Sequence, residues 1–181
     1  DVAVKNVMIK NLDMDVNGDG NDYVGGIAGD VENGDFDDNN PDAGGEITLR
    51  QLAVRDGDIK AVGSQYVGGL VGRLQDKSLL DSKNLFIGSV EGGYQVGGLA
   101  GRLSSNSVLN FGYVQADVTG HTVDKDGEIG IITGYTSSND QIVTEIYAVG
   151  TAKHATEGAT AAPRVGVIGR SLSKVDYFGD I

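Results

Sequence analysis

The chain has 181 residues, a formal net charge of −12 and a pI near 4.4. Glycine supplies 29 of them, more than twice its average share of roughly 7 %, and this favours an all-β fold because each interior glycine costs a helix about 0.5–1 kcal/mol. The acidic balance disfavours nucleic acid and membrane surfaces as partners, and the absence of cysteine excludes disulfides, zinc–thiolate sites and thiol catalysis.

Short stretches of alternating polar and apolar residues recur from the N-terminus onward. Alternation with a period of two predicts strands with one inward and one outward face. The five copies are Val4–Ile9, Leu49–Val54, Lys83–Ile87, Asn110–Val114 and Thr144–Val149.

An Asp-rich segment after the first stretch resembles the first half of an EF-hand-type calcium loop. Oxygen-bearing side chains alternate along it, and Gly18 allows the sharp turn. The candidate calcium ligands are Asp13, Asp15, Asn17, Asp19 and Asp22. The bidentate glutamate is missing, since Val24 stands at its place. The alternative is a solvated turn, because Asp, Asn and Gly also dominate turns.

A glycine-rich heptad is the strongest repeat. It occurs as Tyr23–Gly29, Tyr66–Gly72 and Gln95–Gly101, with two weaker copies at Glu128–Gly134 and Pro163–Gly169. We interpret each heptad as a strand whose glycines lie at a coil corner, where they either adopt positive φ or let neighbouring backbone approach closely. A phosphate-binding loop is disfavoured because the Walker pattern is absent.

The longest interval between heptads contains an acidic stretch from 32 to 46, which predicts a protruding loop. Its acidic cluster comprises Asp35, Asp37, Asp38, Asn40 and Asp42. A cation would relieve the repulsion among these groups, and the alternative is a solvated loop without one.

The residue that follows the closing glycine of each heptad defines a further pattern. These residues are Asp30, Arg73, Arg102, Tyr135 and Arg170. Stacking of the repeats would align them into a ladder, and guanidinium and phenol groups suit carbohydrate or protein binding. The alternative is that each arginine pairs with acidic neighbours on this surface.

Units of roughly 30 residues with short strands cannot bury an apolar face alone, so stacking is expected. We predict a single domain over 1–181: a right-handed parallel β-solenoid of about five coils. Ile27, Leu70, Leu99 and Val167 are expected to point inward in one column. The chain opens on Asp1 without a signal peptide and has no apolar run of membrane-spanning length, and we expect it to be a segment of a longer polypeptide.

The heptad cores resemble the GLUG repeat of large secreted bacterial proteins. The matching tetrapeptides are Gly26-Ile27-Ala28-Gly29, Gly69-Leu70-Val71-Gly72 and Gly98-Leu99-Ala100-Gly101. The fourth copy departs from the pattern, with Ile131 in place of the second glycine, and so does the fifth, with Arg164-Val165 at its start. The resemblance covers about residues 4 to 175 and implies a parallel β-solenoid within an adhesin-like surface protein, with no catalytic residues.

These features favour a non-enzymatic structural or adhesive module outside the cell, at a bacterial surface or secreted. Its expected partner is a surface glycan or protein of a host or neighbouring cell, and the alternative is a dedicated glycan- or protein-binding module. A carbohydrate-active enzyme is less favoured: His121 and His154 lack a triad pattern, and Lys153 and Arg164 lack convincingly spaced carboxylate pairs. Ice binding is disfavoured because the threonines do not recur at one register.

Overall fold

The computed structural model describes residues 2–18, 20, 22–32, 46–122, 126–137, 142–155 and 162–171. Every regular element within those residues is a strand, which confirms the all-β expectation. The strands are β1 (Val2–Lys10), β2 (Asp13–Asp15), β3 (Tyr23–Gly25), β4 (Ala28–Val31), β5 (Ile47–Ala61), β6 (Tyr66–Gly68), β7 (Val71–Leu74), β8 (Leu79–Asp81), β9 (Asn84–Gly92), β10 (Gln95–Gly97), β11 (Ala100–Leu103), β12 (Val108–Gly120), β13 (Glu128–Thr136), β14 (Ile142–His154) and β15 (Arg164–Ser171). A search of the same residues for a helix able to cross a membrane finds none.

The first sheet consists of the alternating stretches, now lying in β1, β5, β9, β12 and β14, together with the short β2 and β8. All its pairings are parallel, and equivalent residues of successive repeats face each other. One row, buried in all but its first member, shows this register: Val4, Leu49, Leu80, Leu109 and Val143. The sequence therefore predicted one strand of this sheet in each repeat and the parallel stacking of these strands, but it missed β2, β8 and the full length of β5, β12 and β14.

The second sheet is built from the heptads. Each of the first three heptads forms two short strands rather than the single expected strand, so the hydrogen-bonded path ascends β3-β6-β10, crosses the long β13 and returns through β11-β7-β4. β15 pairs with β13. The chain turns tightly between the two short strands. The tightness shows at Gly97, where an added Cβ would lie only 2.0 Å from Ala100 O.

Close approach of neighbouring backbone, rather than positive φ, explains why the heptads require glycine. A Cβ on Gly72 would lie 2.5 Å from Gly29 O and 2.6 Å from Val24 N. The described glycines with positive φ are Gly20, Gly88 and Gly150, none of which belongs to a heptad.

The expectation of positive φ at the heptad glycines is therefore wrong, although Gly26, Gly69 and Gly98 do lie at the bends between the paired short strands. Left-handed corners fall instead on non-glycine residues at matching places in the first sheet, including Asn6 (φ 59°), Gln51 (55°), Phe111 (49°) and Glu145 (52°).

The core lies between the two sheets, and the predicted inward column is three-quarters correct. Leu70 and Leu99 are fully buried and Ile27 is partly buried against the core, but Val167 is 47 % exposed. The register explains the error: Gly166 faces Gly130 and Ile168 faces Thr133, so the fifth heptad has one residue fewer at its bend. Ile132, only 4 % exposed, occupies the inward position in the fourth repeat.

Candidate functional site

The predicted ladder residues form one cross-strand row in the second sheet. Asp30 faces Arg73, Arg73 faces Arg102, Arg102 faces Tyr135, and Tyr135 faces Arg170. A second row runs beside it: Tyr23, Tyr66, Gln95 and Glu128 open the first four heptads, and Arg164, the second residue of the fifth, completes the row. We call these two rows together the Tyr/Arg face. The sequence analysis missed the second row, although the residues that open the first four heptads could have indicated it.

The N-terminal part of the Tyr/Arg face is fixed by ring stacking and an ion pair. The Tyr23 and Tyr66 rings stack with centroids 5.0 Å apart and planes 8° apart. The Arg73 guanidinium lies 4.2 Å from the Tyr23 ring centroid and donates hydrogen bonds of 2.9 and 2.5 Å to the two carboxylate oxygens of Asp30. The hydrogen bond to Asp30 raises the pKa of Arg73 above its ordinary value. Arg73 is thus held by partners of its own chain.

Arg102 differs from its neighbours because its contacts are aromatic. Its guanidinium carbon lies 5.4 Å from the Tyr66 ring centroid and 5.2 Å from that of Tyr135. Its Nη1 donates to the Tyr66 hydroxyl at 3.3 Å. No carboxylate within the described ranges forms a salt bridge with it. Arg102 therefore keeps a positive charge that no carboxylate of the described chain neutralises.

The C-terminal part of the face surrounds Glu128, whose side chain is fully buried. Gln95 Nε2 donates to it at 2.5 Å, Arg170 Nη1 at 3.0 Å and Arg164 Nη1 at 3.5 Å. Arg164 also pairs with Asp126 at 2.9 Å. The hydrogen bond with Glu128 raises the pKa of Arg170. A buried carboxylate is tolerated only with such partners, so removal of one of them would leave the Glu128 charge poorly compensated.

Pairing with acidic neighbours, the alternative for the ladder arginines, is therefore correct for Arg73 and Arg170, whereas Arg102 has no such pair with any described residue. Ligand binding through Arg73, Arg102, Tyr135 and Arg170 stays a prediction. Arg102 is the residue of this set that is best placed to contact a ligand.

The two histidines lie at the ends of long strands, away from each other in sequence. His121 contacts the Glu91 carboxylate, and His154 Nε2 lies 3.2 Å from Thr122 Oγ1. Lys153 is exposed near the end of β14, whereas Arg164 is held by Glu128 and Asp126.

The first two candidate calcium ligands lie on a strand, and the others follow it. Asp13 and Asp15 lie in β2, facing Asp58 and Lys60, with both side chains exposed. Asn17 is exposed and Asp22 is partly buried just before β3. Asp19 lies outside the described residues, as do the acidic residues at 33–45. Among the residues that are described, no group of three or more His, Cys, Asp or Glu is placed to hold a metal.

Calcium binding at this segment stays a prediction. A calcium ion that binds only the folded state would stabilise it by about 2.7 kcal/mol at a hundredfold excess over Kd. Magnesium should stabilise less, because it tolerates irregular oxygen shells poorly. Melting curves in EDTA, calcium and magnesium test this: three superimposable curves would leave the segment as a solvated turn.

No protein-family model matches the chain, and comparison with curated proteins and with solved structures finds no match either.

Proposed function

We propose that the chain is a right-handed parallel β-solenoid of about five coils that serves as a non-enzymatic structural and adhesive module of a bacterial cell-surface or secreted protein. The observation that carries this proposal is the common register of the repeats: equivalent residues face each other across parallel strands in both sheets. Such an arrangement lengthens by adding repeats, which suits a module that extends a chain and presents a face.

Three features support a solenoid over other parallel β architectures. Like residues stack in rows through successive repeats, and the left-handed corners recur at matching places. The heptads resemble GLUG repeats, which occur in arrays in secreted proteins. The right hand follows from the strong preference of parallel crossover connections.

The Tyr/Arg face is the surface we assign to adhesion. Tyrosine rings and guanidinium groups together offer flat surface and hydrogen-bond donors, which suit a glycan or protein of a host or neighbouring cell. Arg102, held on two tyrosine rings with no carboxylate partner in the described part of the chain, favours a ligand that carries a carboxylate or another anionic group. The second candidate is thus a dedicated binding module for an acidic glycan or protein.

A glycan array probed with the purified protein tests the adhesive role, with Arg102→Ala as the informative variant. We expect acidic glycans to bind and this variant to weaken them about tenfold, the scale of one charge-assisted contact of about 1.5 kcal/mol. Arg55→Ala is the matched control, because Arg55 is an exposed arginine of the first sheet and its loss changes the charge equally. Equal binding by both variants, or no bound glycan at all, would contradict glycan adhesion through this face.

A further inference from the structure

A pocket opens in the middle of the stack, where the chain passes from the first sheet to the second. In the third repeat the connecting turn between β9 and β10 consists of residues 93–94 alone, whereas the turns before and after it span 62–65 and 121–127. The short turn leaves a notch between two longer ones. The pocket in this notch has a volume of about 190 Å³ and is open to solvent, and its lining includes Gly63, Ser64, Gln65, Gly93, Tyr94 and Thr122.

Ser64 supplies the observation that points to a ligand. Its side chain is fully buried, and its Oγ has no hydrogen-bond partner among the described residues. The Oγ lies beside Gly18 of the first repeat, since a Cβ on Gly18 would be 2.4 Å from it. Buried polar groups in folded proteins are nearly always paired, and an unpaired one costs free energy. A bound molecule that pairs with this hydroxyl would remove that cost.

The side chains that line the pocket are uncharged and able both to donate and to accept hydrogen bonds. Ser64 and Thr122 carry hydroxyls and Gln65 carries an amide. Thr122 Oγ1 lies 3.2 Å from His154 Nε2, which orients it. Burial, and after it the charge of Glu128, raises the pKa of Tyr94, so its phenol stays neutral. An aromatic ring beside such polar groups suits a ligand that carries several hydroxyls.

The volume and the nearest acidic group restrict the ligand further. The pocket is smaller than the roughly 300–1,000 Å³ of sites for drug-sized molecules, so it accommodates about one ring. A Cβ on Gly18 would lie 2.3 Å from Asp22 Oδ2 as well as 2.4 Å from Ser64 Oγ. The Asp22 carboxylate is therefore close to the Ser64 hydroxyl, and it disfavours an anionic ligand there.

We propose that this pocket binds one neutral sugar residue, with the Ser64 hydroxyl as a hydrogen-bond partner and Tyr94 beside the sugar ring. The proposal goes beyond the adhesive role of the Tyr/Arg face, because it concerns other residues and a ligand without charge. Either one can fail without the other.

Nuclear magnetic resonance tests the proposal through the backbone amide shifts of Gly63 and Gly93. The protein is titrated with glucose, galactose, mannose or N-acetylglucosamine, in EDTA so that no metal ion contributes. We expect at least one of these sugars to shift both amides, with a dissociation constant of about 1 mM, the scale for a small ligand. Glucuronate, a charged sugar of similar size, should leave them in place.

Ser64→Ala is the informative variant. It should weaken sugar binding about fivefold, because one hydrogen bond is lost. It should also melt no lower than wild type, because the hydroxyl it removes is unpaired in the free protein.

Ser107→Ala is the matched control. Ser107 is also fully buried with an unpaired Oγ, but it lies in the turn between β11 and β12, outside the pocket lining. It should bind sugar like wild type. Four results would each overturn the proposal: no shift with any neutral sugar, equal shifts with glucuronate, equal binding by the two variants, or a Ser64→Ala protein that melts well below wild type.

Discussion

Replacement of Leu70 with aspartate should remove most or all of the stability of the fold. Leu70 is fully buried in the core between the two sheets, and its backbone N–H donates to Leu99 O of the next repeat at 3.0 Å. An unpaired carboxylate at this position costs several kcal/mol, against a total of about 5–15 kcal/mol for a typical domain. Thermal and urea unfolding followed by circular dichroism would measure the loss.

Val167→Asp is the control for this experiment. The heptad pattern gives Val167 the same place as Leu70, but the structure leaves it 47 % exposed. We expect this control to melt close to wild type, because an exposed carboxylate keeps its hydration. A Leu70→Asp protein that melts within a degree or two of wild type would contradict the buried position of Leu70.

A single added methyl group at Gly101 should also be strongly destabilising. A Cβ there would lie 2.5 Å from Val67 N, 2.7 Å from Gly72 O and 2.9 Å from Gln95 O. All three atoms belong to backbone, which cannot move aside as a flexible side chain does. Overpacking of this kind costs typically about 1–3 kcal/mol, and we expect Gly101→Ala to lie at or above the upper end of that range.

Gly166→Ala makes the same chemical change at another heptad glycine. The nearest atom to its added Cβ is Ile168 O at 3.1 Å, and the other close contacts lie at 3.9 and 4.0 Å. Its loss of stability should be distinctly smaller than that of Gly101→Ala. Equal midpoints of denaturation for the two variants would contradict the claim that close backbone contact requires glycine in the heptads.

The parts of the fold that repeat in the sequence were predictable, because equal repeats impose equal register. The alternating stretches marked the strands of the first sheet, and the closing glycines aligned Asp30 with Arg73 and Arg102. Both predictions depend only on period-two alternation and on stacking of equivalent residues. No three-dimensional information beyond the repeat was needed for them.

The remaining features depend on contacts that the repeat does not encode. Val167 was misplaced because a one-residue shortening of the fifth heptad changes which side chain points inward. The same shortening concealed Arg164, which reaches Glu128 only once the register is known. The left-handed positions in the first sheet were not predicted, because residues such as Phe111 and Glu145 adopt a conformation that their side chains do not favour.

Electron paramagnetic resonance of paired spin labels tests the stacked register most directly, because a chain without native cysteine can be labelled at chosen sites alone. Asp13, Asp58, Ser89, Asp117 and Thr151 occupy one row. With strands about 4.8 Å apart, labels at Asp13→Cys and Thr151→Cys should lie about 19 Å apart, and moving the first label to Asp58→Cys should shorten the distance by about 5 Å. A distance that does not shorten on that move would contradict the stacking of successive repeats.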